Sequence, residues 1–161
     1  MVLVLGVYLL ALAVGCVPLV AVPAGWSPLV RAAVADGIAT LVVFGAGVLF
    51  RNASFYDPYW SVAPPVLMAY FFVASGADFD LRSGVVAALV LFWAVRLTAN
   101  WARGWRGLEH EDWRYVDLQK SSGRGYFWVN LSGIHLFPTA LVYLGCLPLW
   151  GVTQGSAGWN V

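Results

Sequence analysis

Arg96, Asn100 and Arg103 stand four and three residues apart, so a continuous helix through them carries all three on one face as a polar stripe. Two guanidinium groups hold a phosphate or carboxylate through directional hydrogen bonds, and an asparagine amide donates to a carbonyl while accepting from another group. The stripe therefore suits an anionic cofactor, although arginines beside Trp105, Trp113 and Tyr115 also anchor protein to lipid headgroups. A second group, Tyr56, Asp57, Tyr59, Trp60 and Ser61, combines a carboxylate, hydroxyls and aromatic surfaces at a helix entrance. That mixture fits an amphipathic ligand arriving from lipid. Interfacial aromatic belts, with Asp57 capping a helix ahead of Pro58, account for the same residues without chemistry.

Asp36 interrupts an apolar stretch, where an uncompensated carboxylate costs roughly 2.5–3.5 kcal/mol on insertion scales. It is expected to have an interhelical hydrogen-bond partner, and Arg31, five residues away, is poorly placed to be one. Ser132 and His135 are expected to share one region of a helix with Asn130 nearby, chiefly as packing and hydrogen-bonding groups. No carboxylate close in sequence fixes the His135 tautomer. His110, Glu111 and Asp112 are consecutive and diverge, unlike the i,i+4 histidines of an HExxH site, so no metal site is assigned. Cys16 and Cys146 are the only cysteines, too few for a disulfide framework or a cysteine zinc cluster.

These groups have to be positioned by an unusually apolar chain. Of 161 residues, 61% are hydrophobic and 11% charged, against roughly 25% charged in soluble domains. Mean hydropathy is +0.76, and a net charge of +1 gives no field to attract nucleic acid. The expected fold is all-α: a polytopic membrane helix bundle of about five transmembrane helices, forming a single membrane-embedded domain over residues 1–161.

The first span covers residues 2–22, with Pro18 and Pro23 near its end. Ala13-Val14-Gly15-Cys16 faintly resembles a lipoprotein cleavage box, but small residues that let helices pack closely explain it equally. The second span runs from Pro28 to Phe50 behind a Ser27 cap. A third starts at Pro58 or Ser61 and reaches about Ala74, with Pro64 and Pro65 in its first turn. A fourth runs from Gly84 to Thr98 and continues as helix to Arg103. Residues 104–128 form the longest polar connection, and a fifth span from Phe127 to Trp150 precedes the soft tail 151–161. Arg103, Arg106, Arg114, Lys120 and Arg124 place that connection, the Arg51 loop and the amino terminus in the cytoplasm, with the 78–82 loop and the carboxyl terminus outside.

Four segments in order, YDPYWSVAP, RLTANWARGWRG, HEDWRY and GIHLFPTALVYLGCLPLW, resemble the bacterial membrane family related to steroid 5-alpha-reductases over most of residues 55–150. The resemblance implies an integral protein of the bacterial inner membrane that uses NADPH to reduce a carbon–carbon double bond conjugated to a ketone in a hydrophobic small-molecule substrate. It implies that Asp57 is the carboxylate at the substrate carbonyl. Asn100 stands where reductases carry a ketone-facing tyrosine, a departure that argues against ordinary steroid reduction. By the same resemblance Arg103 and Arg114 serve cofactor binding, and Arg96 and Tyr115 are motif members without separate roles.

Reductases continue into helices bearing an RHPNYxGE-like segment that closes around the cofactor, and no such segment occurs in these 161 residues. The chain is therefore expected to be incomplete relative to the family and inactive in isolation, with a carboxyl-terminal polypeptide as its complement. A non-catalytic membrane scaffold or assembly subunit is the competing expectation. A transporter, with Asp36 and Arg96 on a polar path, is a third.

Overall fold

The computed structural model describes residues 1–21 and 25–154. Val22, Pro23 and the tail beyond residue 154 lie outside the described residues. The chain is an all-α, membrane-spanning bundle. Helix α1 (Val2–Ala21) packs along α2 (Pro28–Leu49), α3 (Tyr59–Ser75) packs against α4 (Leu81–Gly104), and α5 (Trp113–Ser122) lies in the polar connection. Two pieces, α6 (Tyr126–Val129) and α7 (Phe137–Gln154), are joined through a π-helical stretch, Asn130–Leu136, and α7 packs against α3.

Helices of 20, 22 and 24 residues rise about 30 Å or more, the thickness of the hydrocarbon layer. Among the described residues, α1, α2, α4 and the run Trp113–Gln154 are long and apolar enough to cross a membrane. The 17 residues of α3 reach roughly 25 Å, so this fifth apolar helix depends on the aromatic turn before it to complete a crossing.

Local signals explain most boundaries. Ser27 Oγ accepts from Val30 N–H at 3.3 Å and starts α2, and Asp80 Oδ1 accepts from Ser83 N–H at 2.8 Å and starts α4. Helix α3 takes Pro58, one of its two expected starts, as its cap residue and departs from expectation in where its prolines fall. It begins at Tyr59 and runs through Pro64 and Pro65, which sit inside the helix and not in its first turn. Neighbouring helices offer packing that offsets the lost backbone donors. The polar connection is also more ordered than its composition suggests, because Asp112 caps α5 through Arg114 N–H at 2.9 Å.

Close helix contact is set by small residues. A Cβ on Gly15 of α1 would come within 3.1 Å of Ala35 O and 3.2 Å of the Ala39 Cβ on α2. Long-range hydrogen bonds then fix which ends lie together. Tyr8 OH donates to Phe55 O at 2.8 Å, and Asn52 Nδ2 donates to Leu108 O at 2.9 Å and His110 O at 3.1 Å. At the opposite end Tyr143 OH donates to Leu29 O at 2.7 Å. The start of α1, the 50–58 turn and the 105–112 segment therefore share one end of the bundle.

Candidate functional site

The turn after α2 builds that end. Gly47 admits the returning chain, since a Cβ there would lie 3.3 Å from Asn52 O. Arg51 takes a left-handed conformation (φ 51°), and Asn52 N–H closes the helix end on Gly47 O at 2.8 Å. The Asn52 amide, 1% exposed, clamps both carbonyls of the 105–112 segment while its Oδ1 accepts from Ser54 N–H at 2.9 Å. Two further bonds join the same segments: Ala53 N–H to Glu111 Oε1 at 2.6 Å, and Asp112 N–H to Ser54 Oγ at 2.9 Å.

Asp57 emerges from this turn half-buried, and Tyr115 OH donates to its Oδ1 at 2.5 Å. Asp57 does not cap α3; the cap position is Pro58, without a side-chain bond. The turn presents the carboxyl to Tyr115 instead. Burial raises the Asp57 carboxyl to about 6, partly opposed by the Tyr115 hydrogen bond and the Arg114 charge. Arg114 itself grips Asp112 with Nε at 2.7 Å and Nη2 at 3.0 Å, which holds the Asp112 carboxyl below its ordinary value. The Arg114 guanidinium lies 5.6 Å from the centre of the Tyr115 ring.

Asp57 and Asn100 line one cavity of about 240 Å³, together with Trp101, Trp105, Arg106 and His110. Residues 43 apart in sequence thus meet because α4 continues unbroken to Gly104 and its last turn comes down beside the 50–58 turn. Asn100 lines the cavity from an exposed position, whereas Arg96 and Arg103, exposed on the same helix, do not line it. A family model described as "Protein of unknown function (DUF1295)" matches residues 43–160, which takes in both walls of this cavity. The chain belongs to the DUF1295 family. No curated protein and no solved structure matches it.

Deeper in the bundle this DUF1295 chain holds a second set of polar groups. Tyr59 OH donates to Asp36 Oδ1 at 2.6 Å, supplying the interhelical partner that Asp36 requires. Tyr56 OH and Thr139 Oγ1 are 2.7 Å apart, and Thr139 and Thr40 hydroxyls 2.8 Å apart. His135 is fully buried, its ring 4.7 Å from that of Tyr56 and its Nδ1 3.0 Å from Asn130 O. Ser132 is not part of this region. It is exposed and donates back to Trp128 O at 2.6 Å, because the wider π-helical turns from Asn130 to Leu136 rotate it away from His135.

Sequence reasoning counted Tyr56 among the hydroxyls of the 56–61 group but did not single out Thr40, Thr139 or Asn52. Lone threonines in apolar helices carry a weak signal, and only their burial in a dry interface makes a pair of them informative.

Proposed function

We propose that this chain is the carbonyl-binding part of a membrane oxidoreductase of the steroid-reductase-like kind, reducing a hydrophobic enone with NADPH. The reading rests chiefly on the convergence of Asp57 and Asn100 on one cavity, with Tyr115 orienting the carboxyl. NADPH, when bound, would supply hydride to the enone β carbon, and a proton from water taken up at the α carbon of the resulting enolate would complete the reduction. Protonated Asp57 donates from Oδ2 to the ketone oxygen while its Oδ1 stays on Tyr115, and Asn100 Nδ2 donates to the same oxygen. Both bonds strengthen as negative charge builds on that oxygen, and this difference lowers the barrier. A carboxyl titrating at about 6 is partly protonated near neutral pH, which suits it to the task.

The residues fit one end of the cofactor. A cavity of about 240 Å³ lies below the roughly 300–1,000 Å³ that encloses a drug-sized ligand, so it takes a reacting ring and not a whole dinucleotide. Arg103, Arg106 and the Nη1 group of Arg114 lie at the basic end of the bundle and suit phosphate oxygens. Among the described residues neither Arg103 nor Arg106 forms an ion pair. The same end carries Arg51, Lys120 and Arg124, against Arg31 and Arg82 opposite, so it faces the cytoplasm together with the amino terminus.

The test uses the chain in lipid nanodiscs, alone and with a separately supplied carboxyl-terminal polypeptide. NADPH binding is read from tryptophan fluorescence and enone consumption by mass spectrometry. D57N is expected to lower turnover about 10²-fold or more while NADPH still binds. Failure of every assembly to bind NADPH overturns the reading. Reporter fusions after Asp80 and Lys120 test the orientation, with opposite sides expected.

A further inference from the structure

A second cavity of about 240 Å³ opens on the other side of the 50–58 turn and shares no lining residue with the Asp57 cavity. Its polar lining comes from Arg51, Asn52, Glu111, Gln119, Tyr126 and Asn130, of which Asn52 is already bonded to the 105–112 segment. Asn130 is 5% exposed, yet among the described residues its Oδ1 has no hydrogen-bond partner, and neither does the buried Tyr126 hydroxyl. A buried acceptor left alone keeps its desolvation cost uncompensated, so these groups point to a ligand that completes them.

The chemistry of the lining narrows that ligand. Asn130 Oδ1 only accepts, and Glu111 has given one carboxyl oxygen to Ala53 N–H and keeps the other. Together they call for a cationic group rich in N–H donors. Arg51 on the same wall calls for an anion. It is the one non-glycine residue with positive φ among those described, a position glycine or asparagine normally takes. The wall is completed by Val48 and Phe127, 43% and 47% exposed, which in a membrane-spanning bundle meet acyl chains. Burial and the neighbouring Asp112 charge raise the Glu111 carboxyl, partly opposed by the Ala53 N–H.

We propose that this cavity binds the phosphoethanolamine headgroup of a membrane phospholipid, ammonium toward Glu111 and Asn130 and phosphate toward Arg51. A primary ammonium brings three N–H donors, whereas a choline headgroup of equal charge brings none. The size of the cavity suits a headgroup, and its apolar rim suits the chains that follow.

The experiment is native mass spectrometry of the full chain after exchange into mixed micelles holding equimolar dioleoyl phosphatidylethanolamine, phosphatidylcholine and phosphatidylglycerol. The wild type should retain phosphatidylethanolamine over phosphatidylcholine by about tenfold, equivalent to ~1.4 kcal/mol. E111Q keeps an oxygen for Ala53 N–H and should bring that ratio near one. R51A should lower retention of both zwitterionic lipids together. Equal retention of the two by the wild type overturns the proposal without reference to any variant, as does preference for phosphatidylglycerol or an E111Q ratio unchanged from wild type. Displacement of the lipid by an equal concentration of soluble glycerophosphoethanolamine would assign the site to a free zwitterion and overturn the lipid assignment.

Discussion

Two cavities of equal size flank the 50–58 turn, and they differ in how far the chain has satisfied its own charges. Around Asp57 the two carboxyls are already paired: Tyr115 donates to Asp57, and Arg114 grips Asp112. Around Glu111, among the described residues, Asn130 Oδ1 and Tyr126 OH lack partners and Glu111 has only a backbone N–H. A group held in place before a ligand arrives can act on passing molecules without reorganising, the arrangement catalysis uses. Groups that stay unsatisfied until a ligand arrives favour a resident molecule, because its departure restores the desolvation cost. The contrast fits the proposed division, with turnover on one side of the turn and retention on the other.

The largest way to break this contrast is to remove the element both sides share. Asn52 makes two hydrogen bonds to the 105–112 segment and one to Ser54, all from a buried amide. N52A leaves two carbonyls and an N–H without their partner and is expected to cost about 2–4 kcal/mol, read as a lowered thermal midpoint in detergent. Headgroup selectivity and NADPH-dependent turnover should fall together. Loss of one with the other intact would show that the cavities do not depend on a common wall.

The segments that composition governs were legible: span lengths, the Ser27 start of α2, and the extension of α4 that carries Asn100 down to the turn. Asp57 and Asn100 were paired through family resemblance, and the geometry brings them to one cavity. What sequence could not supply were contacts made by single polar residues far apart, such as Thr40 with Thr139 or Asn52 with Leu108. Neither partner has a local pattern that marks it. The expected pairing of Ser132 with His135 failed for a different reason, because helical spacing assumes α-helical turns and this stretch is π-helical. The second cavity was equally hidden, since Arg51, Glu111 and Asn130 belong to three separate segments.

A smaller effect sharpens the Asp57 side. Its carboxyl titrates at about 6 in the folded chain against 3.8 ordinarily, so between those values the folded state holds more protons than the unfolded one. Stability therefore falls as pH rises through this window, and the contribution is fully favourable only below about 4. D57N should abolish that slope. Y115F, which removes a hydrogen bond that lowers the Asp57 value, should extend the falling limb to higher pH at a cost of about 1–2 kcal/mol. The measurement is the thermal midpoint from pH 4 to 8. If Y115F moves the limb to lower pH, Tyr115 is not what holds the ionised carboxylate.

The smallest effect tests the other side through its backbone. Arg51 occupies a left-handed conformation that costs a non-glycine residue roughly 1–2 kcal/mol, whereas glycine adopts it freely but gives up about 0.5–1 kcal/mol of unfolded-state entropy. R51G should therefore stabilise the fold by about 0.5 kcal/mol, visible as a small rise in thermal midpoint, while weakening retention of both zwitterionic lipids. Gain in stability with loss of binding is the signature of a side chain kept at a strained position for its ligand. A rise in stability with lipid retention unchanged would remove Arg51 from the headgroup site and leave Glu111 and Asn130 to hold an ammonium alone.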